Sequence, residues 1–168
     1  MEIRNGIFTR YEDFDLKLVE QRSEVPVSDD KKAFQIWYQN TEDCPFEDFE
    51  KDKFGNGFYK IVPISQIEKV FLIITFGKYK KWTIEVFEGK GDKVQIASRD
   101  RTVSEELGMK KIGKEWYMKE VEISDLDLIW EETIEIKQSD TLYGAFLKLN
   151  DLWRDKRERI KLVSTSGI

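Results

Sequence analysis

The sequence predicts an α+β fold: a mainly antiparallel β-sheet with short capped helical turns and one C-terminal amphipathic helix. Three features carry that expectation. Short runs of β-branched and aromatic residues, divided by turn residues, follow one another as far as Ile136. Helix-capping sequences interrupt these runs with no long helical period behind them. A sustained apolar stripe at spacings of three and four begins only after Thr141.

GIFTRY (6–11) and DLKLVEQ (15–21) flank EDFD and read as a β-hairpin. SEVPVSDDKK (23–32) is a polar loop. AFQIWYQ (33–39) returns to strand, with Phe34, Ile36 and Tyr38 alternating against Gln35, Trp37 and Gln39. TEDCPFEDFEKDKFGNG (41–57) has no steady period and reads as a long acidic loop, a length that is often functional. FYKIVPI is a strand ending near Pro63, and VFLIITF (70–76) is the next. WTIEVFE (82–88) and KVQIAS (93–98) form a hairpin around GKGD. Thr102 and Glu105 make a capping box for the brief helix VSEEL, which Gly108 closes. KEWYMKEVEI (114–123) and IWEETIEI (129–136) are strands. Ser139–Asp140 caps the long helix, whose stripe is Leu142, Ala145, Phe146, Leu149, Leu152 and Trp153.

At 168 residues the chain is expected to form one domain: a β-rich body over 1–137, a helix over 139–160 packed on it and a frayed tail over 162–168. Within the body FYKIVPISQIEKVF (58–71) is echoed by YMKEVEISDLDLIW (117–130). Each copy offers a serine cap, Ser65 with Glu68 and Ser124 with Asp127, and a lysine, Lys60 or Lys119, expected to point outward. The echo reads as a folding device used twice.

Composition excludes several chemistries. There is no histidine, so Ser-His-Asp and Cys-His triads and histidine-based metal sites are ruled out. The lone Cys44 forms no internal disulfide, and its acidic neighbours Glu42, Asp43 and Glu47 oppose a nucleophilic thiolate. The carboxylate groups Glu131–Glu132, Asp125–Asp127 and Glu47–Asp48–Glu50 lack calcium-loop spacing. GKGD and GNG lack the strand–loop–helix context of a phosphate cradle. No cofactor or metal is expected, and the reading is of a protein that is not an enzyme. A net charge of −5 argues against nucleic acid as the main partner. No apolar run reaches membrane-span length, and MEIRNGIFTR lacks a signal peptide's apolar core, so the expected location is the cytoplasm.

Charge is distributed unevenly. Residues 42–52 carry six acids against one lysine, interleaved with Phe46 and Phe49, whereas residues 148–161 carry six basic residues against three acids. Exposed, the first segment would offer apolar anchors ringed by negative charge, suited to a basic partner. The candidate partner-binding residues are therefore Glu42, Asp43, Phe46, Glu47, Asp48, Phe49 and Glu50. An alternative is a small-molecule or nucleic-acid module, using the basic helix from Arg154 or the cluster Lys78, Tyr79, Lys80, Lys81 and Trp82.

NGIFTRY, the acidic loop containing Cys44–Pro45, and FYKIVPISQIEKVFLIITFGKYKKWTIEVFEG together resemble the immunity proteins of polymorphic toxin systems in Gram-positive bacteria. The resemblance spans residues 5–136 and leaves the C-terminal helix outside. It implies a cytoplasmic protein that binds a cognate toxin domain, often a nuclease, and blocks it without doing chemistry. It transfers no individual functional residue.

Overall fold

The computed structural model describes residues 2–40, 42–136 and 141–154. Its first strands are β1 (Gly6–Tyr11), β2 (Phe14–Glu20), β3 (Ala33–Tyr38), β4 (Glu50–Lys51) and β5 (Phe58–Pro63). A 3-10 turn at Ile64–Gln66 leads to β6 (Val70–Tyr79), followed by β7 (Trp82–Glu88) and β8 (Lys93–Ser98). Next come α1 (Arg101–Leu107), β9 (Lys110–Gly113), β10 (Trp116–Glu122), a 3-10 turn at Ile123–Asp125, β11 (Leu126–Ile134) and α2 (Leu142–Arg154). The fold is α+β and mostly antiparallel sheet, with 47% of the described residues in strands. It divides into two compact units. The first comprises Gly6–Leu72 and Ile134–Asn150; the second is centred on Ile73–Thr133.

In the first unit the strand order is β4-β5-β3-β2-β1. β1 and β2 meet through the two-residue turn Glu12–Asp13, with Tyr11 opposite Phe14 and Glu12 at φ 44°. That left-handed first position gives the turn a twist matching its strands. Leu16, Leu18, Phe34, Ile36 and Val62 form the buried face. α2 lays Tyr143 and Phe146 on Phe34, with ring centroids 6.3 and 4.9 Å away. The Tyr143 hydroxyl donates to Glu20 at 2.7 Å. Burial, and then that bond, push the Tyr143 phenol up to about 12.

In the second unit the order is β6-β7-β8-β10-β9, with β11 against β6. Ile84, Val86, Val94, Ile96 and Val121 are packed by Val103 and Leu107 of α1. Asp100 caps α1, its Oδ1 accepting the Val103 amide at 3.1 Å, and Gly108 ends it at φ 67°.

The two units repeat one plan. FTRYEDFDLKLVE (8–20) and FGKYKKWTIEVFE (76–88) form the same hairpin, with Tyr79 opposite Trp82 across the turn Lys80–Lys81 and Lys80 at φ 55°. β3 and β8 then pair with β5 and β10 in matching register, Ile36 with Lys60 and Ile96 with Lys119. The amides of Ile64 and Ile123 donate to Lys32 and Asp92 at 2.9 and 2.8 Å, each carbonyl just before the paired strand. Beyond the turn, Thr9 Oγ1 donates to the Lys69 carbonyl at 2.6 Å. At the corresponding place a Cβ on Gly77 would lie 3.3 Å from the Leu128 carbonyl and 2.8 Å from Val86 Cγ2. The echo noticed in the sequence is the last part of this duplication.

Several local expectations need correction. Ser65 and Ser124 cap nothing: both lie inside 3-10 turns with no side-chain cap bond. Each is a single 3-10 turn with no helix behind it, and the Ile67 amide two residues beyond Ser65 already donates to the Ile64 carbonyl. Asp100, not Thr102, caps α1, and the Glu105 carboxylate accepts from the Arg101 side chain at 3.0 Å instead of from the cap amide. Lys60 and Lys119 do not simply point outward, since each ammonium lies 5.9 Å from a tyrosine ring, Tyr11 or Tyr79. The expected Ser139–Asp140 cap and the helix beyond Arg154 fall outside the described residues.

Candidate functional site

In each unit a segment between the third strand and its return partner closes one end of the core. The second unit uses α1 and β9; the first uses the acidic segment 42–57. Phe46 and Phe49 stack at 4.6 Å, and Phe46 meets Tyr11, Phe14 and Tyr38 at 5.2, 5.3 and 6.0 Å. Both rings are buried, at 7% and 9% exposure. They are therefore not presented as anchors. They root the segment, as Val103 and Leu107 root α1.

The carboxylates divide by what they touch. Asp48 forms an ion pair and hydrogen bond with Lys60. That hydrogen bond holds Asp48 below the usual carboxylate range and lifts Lys60 above the usual lysine value. At the equivalent place in the second unit Lys119 donates to the carbonyl of Leu107, at the end of α1. Glu50, on the two-residue edge strand β4, accepts from the Tyr59 hydroxyl at 3.2 Å, and this bond raises the Tyr59 phenol. Asp52 organises the hairpin to β5: its carboxylate accepts the Asn56 amide at 3.1 Å and its own amide donates to Gly57 at 2.8 Å. Gly57 stands at φ 121°, where a Cβ would meet the Tyr38 carbonyl at 2.4 Å. Glu42, Asp43 and Glu47 remain exposed, with no ion pair among the described residues. Phe54, 76% exposed at the hairpin tip, is the aromatic side chain this segment does present.

The opposite sheet face carries a feature the sequence reading passed over. Cross-strand partners share a face, so Lys17, Trp37, Tyr59 and Glu50 form one row and Val19, Gln35 and Ile61 the next. Trp37 stacks on Tyr59 at 4.9 Å and donates its indole N–H to Gln35 at 2.9 Å. Gln35 in turn donates to Gln21 at 2.6 Å. The signal was present in the alternation that set Trp37 among glutamines: a tryptophan on a polar face.

The lysine–aromatic cluster folds into the β6–β7 hairpin. Lys80 and Lys81 are its turn, Tyr79 is buried at 8% exposure, and Trp82 packs against the second unit's core. Lys80 and Lys81 cover their neighbouring rings at 5.6 and 5.1 Å, and Lys81 pairs with Glu106. Lys78 faces Thr83 within the ladder. The Glu131–Glu132 pair is also occupied: Arg4 forks onto Glu131 at 2.9 and 3.2 Å, and Glu132 accepts the Trp130 indole at 3.1 Å. Among the described residues no three Cys, Asp or Glu side chains gather where they could hold a metal ion, and no helix is long and apolar enough to cross a membrane. Arg154 ends the described part of α2.

No curated protein and no solved structure matches this chain. A family model does, over residues 3–138, a span that contains both halves of the duplication and stops short of α2. The chain belongs to the family described as uncharacterised conserved protein UCP033725.

Proposed function

We propose that this protein is a non-catalytic, cytoplasmic binding protein of the immunity type, which neutralises a basic toxin domain by covering it with the acidic segment 42–57. The observation that carries the reading is the construction of that segment. Phe46 and Phe49 fix it to the core, while Glu42, Asp43 and Glu47 face solvent. A solvated linker would need no buried aromatic root. A surface that must hold its charges in place for a partner does, because fixed carboxylates steer association and choose its register. Asp48, Glu50 and Asp52 serve first to shape the segment, and the resemblance to immunity proteins supplies the partner class.

The test is whether the gene lies beside one for a toxin domain and whether the protein inhibits that domain. The wild-type protein is expected to bind and block it. Reversing Glu42, Asp43 and Glu47 together to lysine should slow association at least tenfold at low salt and flatten its salt dependence. A wild-type protein that neither binds nor inhibits that domain would sink the reading.

A further inference from the structure

We propose that the uncovered sheet face around Trp37 and Tyr59 is a second contact surface, shaped for a protein segment that lays an arginine over those rings between apolar side chains. The duplication provides the comparison. In the second unit the corresponding rows are Glu85, Ala97, Met118 and Lys110, then Phe87, Gln95 and Glu120. That face is covered in part: Ala97 and Glu85 are 1% and 6% exposed, and Phe87 meets Trp116 and Trp153 at 6.2 and 6.4 Å, while Lys110 and Glu120 are exposed. In the first unit Trp37, Tyr59 and Ile61 stand where the second has Ala97, Met118 and Glu120. Ile61 and Val19 stand 50% and 41% exposed beside the half-buried Trp37–Tyr59 pair. One plan, used twice, thus buries its central position as Ala97 in one copy and leaves Trp37, Val19 and Ile61 partly exposed in the other.

Charge chooses the occupant. Glu50 ends the aromatic row and accepts from the Tyr59 hydroxyl, and Asp52 also acts on that phenol. Lys17 ends the row on the Trp37 side, so a guanidinium finds its place over the Tyr59 ring, with a π-face beneath it and the Glu50 carboxylate beside it, a pairing that suits arginine. The same carboxylates repel phosphate, which disfavours a stacked nucleic acid. The Gln35–Gln21 hydrogen bonds hold the indole in place before anything binds, so little ordering cost falls on association.

This inference rests on the proposed function only for the partner's identity, and the first arm of its test uses no toxin. A displayed library of random twelve-residue peptides is selected on the full-length protein. Enriched peptides should carry arginine flanked by aliphatic or aromatic residues. They should bind at least tenfold more weakly to Trp37→Ser and to Ile61→Ser, with unchanged far-ultraviolet circular dichroism. Ile61 is half exposed, so the second variant keeps the test valid if the first fails to fold. No enrichment, enrichment without arginine, or equal binding to both variants would overturn the assignment. So would a concentration-dependent dimer that Ile61→Ser abolishes, since the occupant would then be a second copy. Peptide binding without toxin inhibition would overturn the immunity reading alone; toxin binding indifferent to Ile61→Ser would overturn this one alone.

Discussion

Lys60 and Lys119 show how one side chain can serve one position twice with different partners. Strand alternation led us to expect both to face water. Instead each holds its ammonium near a tyrosine ring and against an acceptor on the closing segment, the Asp48 carboxylate or the Leu107 carbonyl. A sequence pattern cannot register this, because a lysine's apolar stem and charged head follow opposite preferences. Phe46 and Phe49 were ambiguous for a related reason: a ring in an acidic loop is an anchor or a root depending on contacts far along the chain. Phe46→Ala should cost about 3 kcal/mol in chemical denaturation, as expected for an emptied aromatic site. A loss below about 1 kcal/mol would mean the segment is not rooted there. Tyr143 supplies a pH signature. Its folded value of about 12 lies above the ordinary 10, so between those values the unfolded chain loses its proton first. The associated stability is complete below pH 10 and falls as pH rises towards 12. Tyr143→Phe should remove that part of the alkaline decline in thermal denaturation, and an unchanged pH profile would contradict it.

At the scale of elements, most strands were legible because each shows one buried face, and period-two alternation records that face directly. The 3-10 turns were misread because serine capping is a rule for helices with orphan amides, and here a single turn closes on its own carbonyl, Ile67 on Ile64. The larger part of the duplication was missed although FTRYEDFDLKLVE and FGKYKKWTIEVFE preserve it visibly. Their differing turn charges, Glu12–Asp13 against Lys80–Lys81, disguise two turns of the same geometry. Gly77 tests the shared plan, since β11 passes close to it. Gly77→Ala should destabilise the protein by about 1 to 3 kcal/mol, because its methyl group would compress Val86 and the Leu128 carbonyl. A neutral effect in denaturant titration would show that β11 can move aside.

For the molecule as a whole, the acidic segment was legible as a charge anomaly, but the division of labour within it was not. Sequence weighs Glu42, Asp43, Asp48 and Glu50 alike. The structure gives Asp48 to Lys60 and Glu50 to Tyr59, leaving Glu42, Asp43 and Glu47 exposed to act at long range. The account therefore separates two groups of carboxylates, and binding should respond mainly to the second. The most direct measurement is the association rate with the neighbouring toxin domain across a range of salt concentration, for wild type and for the Glu42, Asp43 and Glu47 to lysine variant. The account predicts fast, strongly salt-dependent association for wild type and at least a tenfold loss at low salt for a variant that stays folded. Equal rates and equal salt slopes for the two proteins would contradict it.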